Sequence, residues 1–444
     1  MKIYNKYKDS GVDWIGEIPE HWEINRLANF GKFLKGRGIT KADLTDNGVQ
    51  VVLYGDIYTK YDLYTKKLER RTSYENAQRA IEIYKGDLLF TASGETKKDI
   101  GKCVVFLGED EAYASGDVII FRQLKNNWMF LAYVFNSYHV NIQKARLSKG
   151  EIVVHIYASQ LRNIHFVLPP LEEQTQIANY LNQKTAEIDT LIAKKEQLIK
   201  LLEEERTAMI NQAVTKGLDP NVPMKDSGID WLGEIPEHWE SRKIGHAFDR
   251  IGSGTTPESG NPLYHENGTI NWLNTGDLND GVLFSCGKKI TEKAIDDYSS
   301  LKKFPSGSLV VAMYGATIGK TAIVKFETTT NQACCVLCEN STIGVEFLQQ
   351  WIIVNKNHII NLAIGGGQPN ISQYIIKDIR VCCPVIYEQY EIVKYIKKIA
   401  SNMDGIISKA QQEIDLLKEY KTALISEVVT GKVDVRKQVS KGQL

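Results

Sequence analysis

Neither sign of charge prevails in this chain, histidine and cysteine are scarce, and no apolar run approaches the length of a bilayer. The 54 Lys and Arg residues balance 54 Asp and Glu, a neutral total that at first argues against a nucleic-acid partner. The N-terminal stretch MKIYNKYKDSGVDW has no apolar signal-peptide core, so a cytoplasmic location is expected by default. Seven cysteines are an odd number, and four of them form the adjacent pairs Cys334–Cys335 and Cys382–Cys383, a poor basis for a disulfide framework. Cys335-Val-Leu-Cys338 spells C-x-x-C, but no second such pair and no histidine completes a zinc ligand set. The run NQACCVLCEN reads instead as a buried strand. No metal site is expected.

What the chain does contain is a repeat. Lys8–Glu23 reads KDSGVDWIGEIPEHWE and Lys225–Glu240 reads KDSGIDWLGEIPEHWE, differing only at Val12/Ile229 and Ile15/Leu232. Gly11, Gly16 and Pro19 come too often for a regular helix, so an extended aromatic strap is expected. Its Trp14 and Trp231 either anchor another subunit or pack on the chain's own helices. A long amphipathic stretch recurs at nearly the same offset. Leu181, Ile188, Leu202 and Met209 form one column of sevens interrupted by Lys195, with Leu191 and Leu198 in the companion column and Ile192 and Ile199 widening the stripe. Adding 215 gives Ile396, Met403, Leu417 and Leu424, with Ala410 in place of Lys195 and Ile406, Ile407 and Ile414 on the flank. A narrow seam of this period is meant for another helix. Two copies are too few for a solenoid and point to an internal pseudo-twofold.

Between the repeats lie two globular stretches of similar plan. In the first, Val49–Tyr54, Asp87–Thr91, Cys103–Leu107 and Val118–Arg122 read as strands, and Ser73–Ile83 and Trp128–Ser137 as helices. Leu53-Tyr54-Gly55-Asp56-Ile57 matches Thr275-Gly276-Asp277-Leu278, Gly86–Leu89 matches Gly307–Val310, and Ile156 and Ile164 match Ile371 and Ile379. The domain partition is then residues 1–23 (cassette), 24–168 (first domain), 169–217 (central helix), 218–240 (second cassette), 241–383 (second domain), 384–432 (C-terminal helix) and 433–444 (tail).

The neutral total hides a distribution. Residues 24–168 carry 21 Lys+Arg against 15 Asp+Glu, residues 241–383 carry 13 against 12, and residues 172–216 carry 6 against 8. Basic and polar residues beside glycine mark candidate nucleic-acid contacts: Lys35, Arg37, Lys97, Lys98, Lys144, Arg146 and Lys149 in the first domain, and Thr255, Thr256, Tyr314, Thr317, Lys320, Gln368 and Asn370 in the second. Arg and Lys suit phosphates and guanine edges, and Asn and Gln suit adenine edges, although turns use the same Gly, Thr and Asn.

Three catalytic motifs fail. Gly315-Ala-Thr-Ile-Gly319-Lys320-Thr321 is one residue short of a phosphate-binding loop, and a strand over Ala322–Phe326 rather than a helix is expected after it. Asn261-Pro262-Leu263-Tyr264 resembles the Asn-Pro-Pro-Tyr signature of amino-methyltransferases, but Leu263 replaces the second proline and no glycine-rich turn suits S-adenosylmethionine. No carboxylate–lysine cluster recurs in both halves as a nuclease site would require.

The paired cassettes, and the exits Leu168-Pro169-Pro170-Leu171-Glu172-Glu173-Gln174 and Cys383-Pro384-Val385-Ile386-Tyr387-Glu388-Gln389 leading into long helices, resemble the specificity (S) subunit of type I restriction-modification enzymes over nearly the whole chain. The second exit departs from the first: Cys383 stands where Pro169 does, and Val385-Ile386-Tyr387 replaces Pro170-Leu171-Glu172. The resemblance implies an α+β chain in which two similar α/β target recognition domains are separated by two long antiparallel coiled-coil helices, with an internal pseudo-twofold repeat. It implies a non-catalytic subunit that binds a bipartite site on double-stranded DNA and docks two methyltransferase subunits and two motor-nuclease subunits. S-adenosylmethionine, ATP and Mg2+ belong to those partners, with no cofactor in this chain. Residues 172–216 would span about 68 Å at ~1.5 Å per residue, or at most about 20 base pairs. Because the domains have width, the unread gap is expected on the order of half to one helical turn. The rival reading is a pseudo-dimeric scaffold whose variable domains bind proteins.

Overall fold

The computed structural model describes residues 3–12, 15–340, 342–364 and 369–436, apart from the side chains of Glu339 and Asn340. Two elements dominate it: α1 (Leu171–Lys216) and α2 (Ile386–Val429). Their first residues are 215 positions apart. The chain divides into two compact units, one of Met1–Glu196 with Gln412–Leu444 and the other of Gln197–Gln411. Each unit therefore takes one cassette, one globular domain and half of each long helix.

Within each globular domain the main sheet has the same connectivity. In the first, β1 (Lys32–Lys35), β2 (Tyr64–Thr65), β3 (Leu88–Thr91), β4 (Cys103–Phe106) and β5 (Val118–Arg122) lie in the order β1-β5-β3-β4-β2. In the second, β6 (Phe248–Gly252), β7 (Gly281–Leu283), β8 (Leu309–Ala312), β9 (Thr321–Val324) and β10 (Cys334–Asn340) lie in the order β6-β10-β8-β9-β7. The central strands are continuous apolar runs because both faces are covered; Leu88–Phe90 and Val118 to Phe121 are buried. The domains diverge beside this sheet. The first adds a second five-stranded sheet that includes Val49–Val52 and Ala112–Ala114, and the second has, among the described residues, three short strands there, at Ile270–Leu273, Lys289–Ile290 and Thr329–Thr330. The expected helix Ser73–Ile83 is shorter: Tyr74–Ala77 is helical, and Ile81–Ile83 turns into a strand of that second sheet.

Each domain closes onto its helix through one antiparallel strand pair, Glu23–Arg26 with His165–Leu168 and Glu240–Lys243 with Arg380–Cys383. The Glu-Gln dipeptide opening each long helix then fastens two neighbours. Gln174 Nε2 donates to Pro169 O (2.8 Å) and its Oε1 accepts from Asn127 N (2.9 Å), the residue capping the helix Trp128–Asn136. Gln389 repeats this with Pro384 O (2.8 Å) and Gly344 N (2.8 Å) ahead of the helix Val345–Val354. These bonds correct the alignment of the exits. Pro384, not Cys383, is the counterpart of Pro169, and the two helices start in register.

Glu173 holds the first cassette: it accepts from Tyr4 Oη (2.5 Å), contacts His21 Nε2 (2.8 Å) and lies 3.9 Å from Arg436. Glu388 holds the second through His238 Nε2 (2.9 Å) and Trp239 Nε1 (3.1 Å). The fully buried cassette tryptophans are accordingly Trp22 and Trp239. Trp231 is 40% exposed and stacks on His358 with ring centroids 4.3 Å apart, next to Trp351. Trp14 lies outside the described residues.

The helices pair antiparallel within each unit. In the first, Asp189 bonds Lys421 (2.8 Å) and Lys195 bonds Glu413; in the second, Arg206 bonds Asp404 (2.5 Å). Asp189 and Asp404, like Arg206 and Lys421, are 215 apart, so these bridges are repeat-related. Leu181, Ile188, Ile396, Leu424 and Ala410 are buried in the seam, and Leu202, Met209, Met403 and Leu417 are partly so. The companion column is the finding that differs. Ile192 is buried, whereas Leu191 and Leu198 are both 43% exposed and Ile406 is 49% exposed. The seam steps four residues and then three, so the residue at i+4 from Ile188 faces the partner and the one at i+3 does not.

Candidate nucleic-acid interface

Three loops of each domain meet at one edge of its main sheet, and two of them are held by the same backbone bonds. In the second domain Met313 N donates to Ala333 O (2.8 Å), Ile371 N to Met313 O (2.8 Å) and Gly315 N to Pro369 O (3.0 Å). Tyr314 and Asn370 are bridged, and so are Ile364 and Asn370. Gly254 N donates to Thr330 Oγ1 (3.1 Å), and any side chain at Gly254 would meet Thr330 O at 1.8 Å. Thr256 Oγ1 donates to Gln332 Oε1 (2.7 Å), and Thr255 O accepts from Trp272 Nε1 (3.1 Å). Thr255, Thr256, Tyr314 and Asn370 are thus brought together, and Thr317 and Lys320 sit on the same β8–β9 connection, both half-buried. Gln368 lies outside the described residues. That connection is a short 3-10 turn followed by strand β9, not the helix a phosphate-binding loop requires.

In the first domain Gly36 N donates to Val118 O (2.9 Å), Ala92 N to Asp117 O (2.9 Å) and Ile156 N to Ala92 O (2.9 Å). Ser93–Gly94 pairs with Val154–His155, and Lys149 with His155. Arg37, Lys97 and Lys149 are exposed on these loops, Lys35 is exposed at the end of β1, and Arg146 is exposed at the end of the helix Tyr138–Leu147. Lys98 is exposed too, but lines a cleft of about 730 Å³ that also touches Tyr133, Asp189 and Lys421.

Lys144 does not belong to this surface. It is 0% exposed, and its Nζ donates to Gly101 O (2.7 Å) and Phe135 O (2.8 Å). Burial lowers its pKa to about 8. The basic run 144–150 begins inside a helix whose inner face carries Lys144 into the domain, so a phosphate contact from it is ruled out.

Sequence reasoning passed over Ser93 and His155, whose Oγ and Nδ1 share a hydrogen bond of 3.0 Å. The signal was available, since His155 immediately precedes Ile156, the residue matched to Ile371. The thiols of Cys334, Cys335 and Cys338 are buried in β10. Burial pushes Cys335 up to about 12. Among the described residues no group of three or more His, Cys, Asp and Glu side chains is placed to hold a metal ion, and no helix is long and apolar enough to cross a membrane.

Comparison with known proteins gives a consistent result. The family model described as the type I restriction modification DNA specificity domain matches twice, over residues 19–201 and 236–416. The MjaVIII type I restriction enzyme specificity subunit of Methanocaldococcus jannaschii is 26% identical over 438 residues, covering 94% of each chain. The EcoBI specificity subunit of Escherichia coli is 24% identical over 63% of this chain and 61% of its own. In fold, the chain resembles the HsdS subunit of Thermoanaerobacter tengcongensis (TM-score 0.60, 17% identity, 94% and 98% coverage). It also resembles a chain solved in work on complex assembly and conformational transition of the type I R-M system (TM-score 0.68, 16% identity, 94% and 99% coverage).

Proposed function

The chain belongs to the type I restriction-modification DNA specificity family, and on that premise we propose that it reads a bipartite site on double-stranded DNA, one half-site per globular domain. One observation carries this reading. Two sheets of identical strand order present three loops each, two of them held by matching backbone bonds, while the loop side chains differ in chemistry. A common scaffold with dissimilar polar edges is what two independent base-reading surfaces need: backbone geometry sets the approach, and side chains set the sequence. The helix pair governs how many base pairs between the half-sites go unread. Two methyltransferase subunits dock on the chain and bring S-adenosylmethionine, and two motor-nuclease subunits bring ATP and Mg2+. This chain contributes recognition and no catalytic residue.

The test is a salt titration of the full chain, with its methyltransferase partner, on duplex DNA, followed by mapping of N6-methyladenine in cells with and without the chain. Each neutralised phosphate adds about 0.9 to the slope of log affinity against log salt, so six contacts should cost at least about a thousandfold between 50 and 200 mM. Methylation should disappear from one split motif when the chain is removed. Salt-independent binding with an unaltered methylome would instead favour the protein scaffold.

A further inference from the structure

His155 and Asn370 occupy the same point of the two domains. In the first, Lys149 and His155 exchange backbone bonds (2.9 and 2.7 Å), His155 pairs with Ser93, and Ile156 N donates to Ala92 O. In the second, Ile364 and Asn370 exchange the same two bonds (2.9 and 3.1 Å), Asn370 is bridged to Tyr314, and Ile371 N donates to Met313 O. The backbone is repeated bond for bond, and the side chains are not. Paired residues of a ladder share a face, so one domain presents Ser93 with His155 there and the other presents Tyr314 with Asn370. Asn370 and Tyr314 are exposed and His155 is partly so. Among the described residues nothing engages the Asn370 amide or His155 Nε2.

We propose that His155 and Asn370 are the specificity-determining residues at equivalent positions of the two half-sites, Asn370 selecting adenine and His155 making a single base-edge hydrogen bond through Nε2. The inference rests on the DNA-reading function above. A primary amide offers an acceptor and a donor side by side, matching adenine N6 and N7 together. His155 has one ring nitrogen committed to Ser93 Oγ, so only Nε2 remains and its preference is looser. Ser93 is a positioning residue that fixes the ring. The lengths of the two loops agree while their composition does not, which is how one scaffold obtains two different readings.

The experiment selects duplexes from a randomised pool with the full chain and its methyltransferase partner, and sequences them. Asn370→Ala should lower adenine preference at one base pair of one half-site by about 5–150-fold, the range of one bidentate contact, with the other half-site unchanged. His155→Ala should relax one base pair of the other half-site, and Ser93→Ala should weaken that same base pair and no other. Asn370→His, which keeps a polar side chain of similar size, should convert the strict position to a loose one and stands in if Asn370→Ala melts early. Variants that melt like the parent and keep both half-sites unchanged overturn the assignment while leaving DNA reading intact. A parent chain that selects no sequence overturns the DNA reading and the assignment together.

Discussion

A protonated lysine away from water has three N–H groups to satisfy, and Lys144 finds two carbonyls. The position 215 residues on is Ile359, also buried, so the fold does not need a cation there. The charged form is penalised, and the folded-state pKa of about 8 lies below the ordinary lysine value. Between about pH 8 and 10.4 the unfolded chain therefore holds more protons than the folded one, and stability rises with pH across that window, by roughly 3 kcal/mol if the shift is fully expressed. Below pH 8 the penalty is constant. Denaturant unfolding of the parent and of Lys144→Met at pH 7.5 and pH 10 should show the parent gaining stability relative to the variant at the higher pH. A gap that does not change would mean that Lys144 is solvated. A second residue-scale prediction uses the repeat as its own control. Gly431 and Gly217 end the two long helices with φ of 76° and 79°, a region where a side chain costs about 1–2 kcal/mol. At Gly431 an added Cβ would also meet Pro19 at 2.4 Å and Trp22 at 3.1 Å, whereas at Gly217 the nearest atom is Trp239 at 3.4 Å. Gly431→Ala should therefore destabilise the fold more than Gly217→Ala, by a further cost of about 1–3 kcal/mol from overpacking, read as the lower melting temperature of the two variants.

The long helices were the most legible elements, because a 215-residue offset reproduces both their columns and their starting points. Their phase was less so. With Lys195 in the main column, the i+3 and i+4 neighbours of Ile188 are both large aliphatic residues, and only the partner helix decides that Ile192 is buried and Leu191 is not. The helix expected over Ser73–Ile83 fails for a related reason: Ile81 and Ile83 alternate with Glu82, a strand period that the neighbouring Ala112–Ala114 captures. Lys144 reads as a surface cation from the sequence because a run of basic residues looks solvent-facing until the helical face is known; the structure buries it. The pairing carries a constraint on any test of spacing. Lys195–Glu413 and Asp189–Lys421 fix the antiparallel register in one unit and Arg206–Asp404 in the other. Seven residues inserted into α1 alone would put one set out of step, so stability should fall. Matched heptads in α1 and α2, between Lys195 and Arg206 and between Asp404 and Glu413, preserve every bridge. They lengthen each helix by about 10 Å, which corresponds to roughly three base pairs of duplex rise. Methylated-site sequencing should then show the same two half-sites separated by a longer gap; altered half-sites would count against the helix pair as the determinant of spacing.

Across the molecule, recognition and framework are separable at places that the hydrogen bonds define. The first domain leaves its cassette at Ile24 and returns at Leu168, and these two points lie side by side in one antiparallel pair, with Ile24 opposite Val167 and Glu23 opposite Leu168. Exchanging residues 24–168 for the matching domain of a relative therefore cuts one strand pair at its end and leaves Glu173, with Tyr4, His21 and Arg436, undisturbed. Several bonds do cross the cut: Gln174 of the retained helix binds Asn127 N and Asn126 Oδ1 of the domain removed, Thr175 Oγ1 accepts from Asn127 Nδ2 (3.2 Å), Tyr133 Oη bonds Asn182 (3.0 Å) and Thr185 (3.1 Å), and Lys421 lies 3.9 Å from Asp62. A donor that cannot reproduce the Asn126 contact, or that shifts the start of the helix at Trp128, should lose about 1–3 kcal/mol, the cost of leaving a buried amide unpaired, and such failures should be visible in melting before any DNA is added. A donor that keeps the Gln174, Thr175 and Tyr133 contacts should fold like the parent and change a single half-site, read out by N6-methyladenine mapping. Simultaneous change in both half-sites would mean that the two domains do not read independently, because residues 241–383 and their loops are untouched by the exchange.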